Sequence, residues 1–122
     1  MVNAINWFEI PATDHGRAVK FYSKILDADL QPIEMENIKM AFLPVDEGGV
    51  GGAVCSGEDY KPSAEGALVY LNGGEDLNTP LSKVEKAGGK IVLPKTKISD
   101  EIGYMACFID SEGNKIAFHS MK

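Results

Sequence analysis

Two stretches of this chain, 37–56 and 102–120, repeat one pattern, and an internal repeat of that kind leaves few folds open. Met40-Ala41-Phe42-Leu43, then Glu47-Gly48, returns as Met105-Ala106-Cys107-Phe108, then Glu112-Gly113. Each copy reads as a short strand, a tight turn and a final strand. Upstream of each lie an apolar strand, an acidic cap and an amphipathic helix. The chain is therefore expected to be two similar modules, with equivalent positions from both facing any pocket between them. At 122 residues in all, each module is near the lower limit of independent stability, so the two should bury a joint surface.

In the first module, 5–10 reads as a strand ended by Pro11. Thr13 or Asp14 caps a helix reaching about Ile25, because a short polar side chain accepts the free N–H bonds of the first turn. Ala18, Tyr22 and Ile25 form its buried stripe, with Val19 and Leu26 beside them, while Lys20 and Lys24 face water. His15, in the first turn, is expected at the surface. Strands over 30–33, 38–43 and 51–55 follow, with the acidic, glycine-rich 46–49 as the last turn.

Residues 57–66, with Pro62, Ser63 and several charges, read as a linker, which bounds the modules at 1–56 and 67–122 of one structural domain. The second module opens on a strand over 67–71. A helix capped by Asp76 or Asn78 then runs to Ala87, with Leu77, Leu81 and Val84 inward, and Gly88-Gly89 stops it through a left-handed cap. Strands over 90–93, 103–109 and 115–119 complete it. The order is βαβββ twice, an α+β fold with the helices on one face of a mixed sheet.

The net charge of −6 and the lack of a lysine/arginine cluster argue against a nucleic-acid partner. No apolar run reaches membrane-spanning length, and the amino end lacks a signal-peptide pattern, so a cytoplasmic protein without a membrane partner is expected. Cys55 and Cys107 form no C-x-x-C and are expected to be reduced, buried small hydrophobes. The run Gly48-Gly49-Val50-Gly51-Gly52 lacks the strand-to-helix setting and the Lys-Ser/Thr of a phosphate loop, and reads as a flexible turn.

Three segments together resemble the vicinal-oxygen-chelate superfamily of glyoxalase I, bleomycin-resistance and extradiol-dioxygenase-like proteins. They are Asp14-x-x-Arg-Ala-Val-x-Phe-Tyr-x-x-Ile-Leu26, the helix end Val84-Glu-Lys-Ala-Gly-Gly-Lys-Ile91, and Asp110-Ser-Glu-Gly-Asn-Lys-Ile116. The resemblance covers essentially the whole chain. It implies a cupped sheet of about eight strands, closed within one chain or by exchange between two, and a homodimer. It does not imply one activity, since the superfamily hosts several chemistries and some pure binders. Metal-using members place ligands on the first and last strand of each module. Here the resemblance puts those positions at Trp7, Val69, Gly52 and Ala117. None has a side chain that binds a divalent metal, so no metal or other cofactor is expected.

Side chains two apart on a strand share a face. Glu9 then joins Trp7 in the cup, and Lys115 and His119 join Ala117, while Phe8, Ile10, Ile116 and Phe118 point at the helices. The same parity groups Val54 with Gly52 and Leu71 with Val69, and Met105 and Cys107 are added as lining. The expected ligand-binding set is therefore Trp7, Glu9, Gly52, Val54, Val69, Leu71, Met105, Cys107, Ala117 and His119. A mostly apolar wall with a few polar groups suits a small organic ligand. Trp7 either stacks on that ligand or plugs the vacated metal position.

Glu9 and His119 admit three readings: ligand recognition, pairing at a structural seam, or acid–base and displaced metal-ligand roles. The leading expectation is a metal-independent small-molecule binding protein of the glyoxalase/bleomycin-resistance type, its ligand held in the cup between modules. The alternative is a glyoxalase-like lyase or isomerase using Glu9 and His119. A third possibility is a cup filled by its own side chains, which would make the chain an assembly module.

Overall fold

The structure, a computed structural model, describes residues 3–122. Its elements run β1 (Phe8–Pro11), α1 (His15–Ile25), β2 (Pro32–Met35), β3 (Ile38–Phe42) and β4 (Gly52–Ser56) in the first module. The second holds β5 (Val69–Asn72), α2 (Asn78–Leu81), α3 (Val84–Ala87), β6 (Lys90–Ser99), β7 (Gly103–Ile109) and β8 (Lys115–Ser120). The strands form two four-stranded sheets ordered β1-β4-β3-β2 and β5-β8-β7-β6, the same order twice. In each, the first and last strands of the module pair in parallel and the other pairs are antiparallel. The duplicated βαβββ pattern and the α+β class follow the repeat seen in the sequence.

Local chemistry explains where the elements differ from expectation. β1 starts later than 5–10 suggests and includes Pro11, which stands opposite Cys55. A proline is tolerated there because β1 is an edge strand. The Asp14 side chain accepts from Arg17 N at 3.1 Å and starts α1 as expected. His15 is buried rather than exposed: its Nε2 lies 3.3 Å from the Val54 carbonyl, which ties the first turn of α1 to β4.

The second helix is not one run but two single turns, α2 and α3. Pro80 sits within it, and the bond from Lys83 N to the Pro80 carbonyl tightens the chain to a three-residue step. Gly88, at φ 109°, then supplies the left-handed stop that Gly88-Gly89 signalled. β6 runs ten residues, to Ser99 rather than Leu93, because Pro94 is absorbed by register shifts between Leu93 and Thr96 on an edge strand.

One core serves both modules. Ala18, Phe21, Tyr22 and Ile25 of α1 and Leu81 and Val84 of the α2–α3 region join one buried cluster. Ile10, Ala41 and Val54 enter it from the first sheet, and Leu71, Ala106, Phe108, Ile116 and Phe118 from the second. Each sheet thus turns one face to the shared helical layer and the other away from it.

Polar contacts lock the same joint. The turn after β7 reaches the start of α1, where Glu112 accepts from Thr13 N at 2.9 Å and Asp14 N at 2.7 Å and pairs with Arg17 Nε at 2.7 Å. Asn114 Nδ2 donates to the Pro11 carbonyl at 2.7 Å, and its Oδ1 accepts from Ser63 N at 3.0 Å. The segment 57–66 is therefore pinned to the second module at Ser63.

Burial by itself would raise the Glu112 carboxyl, but Arg17, the Asp14 N–H and the Ser111 hydroxyl outweigh it and hold the group below its ordinary range. A carboxyl depressed on folding adds stability above its unfolded value and loses it as pH falls through the folded one. Glu112→Gln should therefore melt lower than the parent at pH 7, and the gap should close below about pH 4. Thermal melts of both proteins from neutral to acid pH check this. A gap that stays constant across that range would remove the electrostatic account.

Candidate functional site

The faces turned away from the helices carry the side chains a ligand would meet, and strand register assigns them. In the first sheet Phe8 stands opposite Gly52, Glu9 opposite Ala53 and Ile10 opposite Val54. Glu9 and Ala53 therefore share the open face, and Phe8, Gly52, Ile10 and Val54 face the core. In the second sheet Tyr70 stands opposite Ala117 and Asn72 opposite His119, while Val69 and Leu71 pair with Ile116 and Phe118 on the core side. Met105 opposite His119, and Cys107 opposite Ala117, belong to the open face.

Six of the ten expected lining residues thus lie on an open face: Trp7, Glu9, Met105, Cys107, Ala117 and His119. The placement of Gly52, Val54 and Val69 on an open face is corrected, while Leu71 turns toward the core and still lines a cavity on the second sheet. Val54 and Leu71 belong to the buried core, and Val69 packs against it. Gly52 is a glycine because a Cβ there would lie 2.4 Å from the Phe8 ring, on the core side. The error is a slip of one residue, which moves a strand's side chains to the opposite face. The true counterpart of Ala117 is Ala53, since each faces its module's first strand at Tyr70 or Glu9.

On the first sheet the Trp7 ring meets Phe42 edge to face, with centroids 5.8 Å apart. Trp7 Nε1 donates to one Glu9 oxygen at 3.3 Å, and the Tyr60 hydroxyl donates to the other at 2.7 Å. That bond, with a smaller contribution from burial, pushes the Tyr60 hydroxyl up to about 12. Burial and the nearby Glu9 charge push the Cys55 thiol up to about 11, so it is neutral at physiological pH and a poor nucleophile. Cys55 and Cys107 are both free and buried, as expected.

On the second sheet a cavity of about 670 Å³ is lined by Tyr70, Asn72, His119, Ile98, Ile102 and Met121, with Leu71, Gly74 and Ser120. His119 Nε2 bonds the Ile102 carbonyl, which requires that nitrogen to carry a proton.

Glu9 and His119 are not brought together. They lie on different sheets, and each is engaged locally: Glu9 by Trp7 and Tyr60, His119 by the loop before β7. Among the described residues no hydrogen bond or ion pair joins them. Sequence reasoning also missed Tyr60, Phe42, Tyr70 and Asn72. Phe42 was available from the repeat, as the counterpart of Cys107, and the corrected parity yields Tyr70 and Asn72. Nothing in the sequence signals that Tyr60, placed in the linker, reaches Glu9.

Two βαβββ modules around a shared helical layer, each with an open sheet face, define a paired-module α+β protein. The Glyoxalase/Bleomycin resistance protein/Dioxygenase superfamily model matches residues 4–118, and the chain belongs to that superfamily. It is similar to a glyoxylase-like domain-containing protein of Didymella fabae, 32% identical over 115 residues, covering 90% of this chain and 88% of that protein. Glyoxalase I from Zea mays has the same fold, with a TM-score of 0.69 and 19% identity. That match covers 95% of this chain and 45% of the Zea mays chain, so this chain spans less than half of that enzyme's length. A glyoxalase/bleomycin resistance protein/dioxygenase family enzyme from Burkholderia phytofirmans PsJN gives a TM-score of 0.68 at 12% identity, over 96% of this chain and 98% of that one. Identities this low carry the fold and not the chemistry.

The residues present do not fit a metal held in the superfamily's manner. With the register corrected, the last strands offer Ala53 and Ala117 and the first strands face them with Glu9 and Tyr70, which leaves one carboxylate where a metal site needs three or four ligands. Among the described residues no three histidine, cysteine, aspartate or glutamate side chains gather as a possible metal site. Among the same residues, no helix is long and apolar enough to cross a membrane.

Proposed function

We propose that this chain is a metal-independent small-molecule binding protein of the glyoxalase/bleomycin-resistance type that holds its ligand against the open sheet faces. The observation that carries the reading is the cavity on the second sheet. At about 670 Å³ it has the size of an ordinary small-ligand pocket. Ile98, Ile102 and Met121 supply apolar surface, while Tyr70, Asn72 and His119 offer a few directional polar groups. That mixture suits a neutral or weakly polar organic molecule.

The reading includes a homodimer. Trp7, Phe42 and Tyr70 are each about half exposed on the open faces, and a second copy could roof them and enclose the ligand. A lyase or isomerase that couples Glu9 to His119 is less favoured, because the two side chains sit on separate sheets with separate partners.

The test pairs ligand screening with elemental analysis. A panel of small organic compounds should contain members that raise the melting temperature of the parent, with the rise lost in a Tyr70→Ala, His119→Ala double variant. Untagged protein purified without chelator should carry no stoichiometric metal. About one metal per chain, released by Glu9→Ala or His119→Ala, would overturn the metal-independent reading. A monomer in sedimentation equilibrium at high protein concentration would remove the dimer.

A further inference from the structure

The segment that joins the modules touches the rest of the chain at few points, and one of them closes over the end of the first sheet. Between Glu58 and Leu68 only Tyr60 and Pro62 are half-buried, and the other residues are exposed. Tyr60 N bonds back to the Gly57 carbonyl at 3.1 Å, and the Tyr60 hydroxyl then donates to Glu9 Oε1 at 2.7 Å. The same hydroxyl lies within bonding reach of the Cys55 thiol. Cys55 is the last residue but one of β4, fully buried between Pro11 of β1 and Met40 of β3.

We infer that 57–66 is a latched strap: the Tyr60–Glu9 bond holds it shut over the Cys55 end of β4, and it opens there while both modules stay folded. One hydrogen bond between an exposed segment and an exposed carboxylate is a weak closure, of the kind that opens locally without unfolding the whole. Like charges work against it. Glu58 and Asp59 precede Tyr60, and Glu9 is in none of the ion pairs among the described residues, which are Arg17–Glu112, Lys95–Asp76 and Lys97–Asp100.

The far end of the strap is held more firmly. Ser63 N donates to Asn114 Oδ1 at 3.0 Å, and Asn114 is itself fixed by bonds to Asp110 and the Pro11 carbonyl. Motion is therefore confined to 57–62, with Gly57, directly after β4, as the hinge. Opening frees one Glu9 oxygen and uncovers the thiol, and closing withholds both. The inference does not rest on the ligand reading of the second-sheet cavity, which shares none of these residues.

Cys55 reports the open state, and Cys107, buried and free on β7 of the second module, is the control. Because the modules share one core, global unfolding exposes both thiols together, whereas strap opening exposes Cys55 alone. The folded full chain is treated with iodoacetamide, and labelling at each cysteine is followed by peptide mass spectrometry. In the parent, Cys55 should be labelled at least about tenfold faster than Cys107. Tyr60→Phe keeps the ring but removes the catch, and should speed Cys55 by about tenfold more while leaving Cys107 unchanged.

The sign of that change is diagnostic. Burial and the Glu9 charge push the Cys55 thiol up to about 11, and the Tyr60 hydroxyl draws it down, so loss of the hydroxyl by itself leaves less thiolate and slower labelling. Acceleration then has to come from opening. Equal rates at the two cysteines of the parent would overturn the inference, as would a Cys55 rate in Tyr60→Phe no faster than the parent's. A rate raised equally at both cysteines would also overturn it, since the hydroxyl would then be holding the fold and not the strap.

Discussion

Asp110→Ala is expected to lower the melting temperature by roughly 10–20 °C, one of the two largest single losses available to this chain. Asp110 is buried at the end of β7, and its carboxylate accepts four bonds. Oδ1 takes Glu112 N and Asn114 N, each at 2.9 Å, and shapes the turn into β8. Oδ2 takes Asn114 Nδ2 at 2.9 Å and the Tyr22 hydroxyl at 2.6 Å, which reaches across from α1. Burial, then the charge of Asp110, push the Tyr22 hydroxyl well above its ordinary range, so it stays a donor at any working pH.

Alanine would strand those donors inside the protein and release Asn114, which itself holds Pro11 and Ser63. Leaving buried donors without their charged acceptor costs about 3–5 kcal/mol. Asp110→Asn keeps an oxygen for the turn but sets an amide against donors on the other side, so it should fall between parent and alanine. Tyr22→Phe removes one bond and should cost about 1.5–3 kcal/mol. If Asp110→Ala melted within a few degrees of the parent, the turn would have to be held by packing alone.

The sequence made the architecture legible because the architecture is periodic. The copied Met-Ala-x-hydrophobic strands and their Glu-Gly turns showed two modules. The stripe on α1 showed which side would be buried, and Tyr22 and Ile25 are in the core as read. The open faces were legible only in part. Parity along a strand is reliable, but its phase depends on one correctly placed residue. Gly52 matches Ala117 when the repeat is carried at constant spacing, but the first module's turn is one residue longer, since Phe42 pairs with Ala53 where Cys107 pairs with Ala117. The small size of Gly52 answers the Phe8 ring, and Ala53 is the residue facing outward.

Counting back from Asp76 to Val69 failed for a related reason. The turn through Gly73 and Gly74 makes the path from strand to helix longer than in the first module. Gly73 lies under Leu77 and the His119 carbonyl, a close approach that no single sequence announces. Tyr60 and His15 were missed because their partners, Glu9 and Val54, are 51 and 39 residues away. Composition marks 57–66 as a connector, yet it cannot show that a connector reaches back to a strand.

The second large loss is expected across the joint between modules, at Phe21 and Phe108. Phe21 belongs to α1 of the first module and Phe108 to β7 of the second, and their rings lie 6.0 Å apart at 40°. Phe108 also rests on Phe118 at 5.1 Å, and Phe21 on Tyr22 at 5.0 Å, so the pair sits inside an aromatic chain spanning the joint. Gly89 completes the fit: a Cβ there would come within 2.8 Å of the Phe21 ring and 2.6 Å of the Ile109 carbonyl.

Either phenylalanine replaced by alanine should cost about 3–5 kcal/mol through lost burial and the cavity left behind. The double variant should cost less than the sum of the two, by about 0.5–1.5 kcal/mol, because each single change already removes their mutual contact. The parent should also unfold in one transition by circular dichroism and by Trp7 emission, which reports only on the first module. Two separated transitions would mean that each module stands alone. Coincident ones would mean that the open faces are carried on a single rigid frame, so a ligand on one sheet would stabilise both modules.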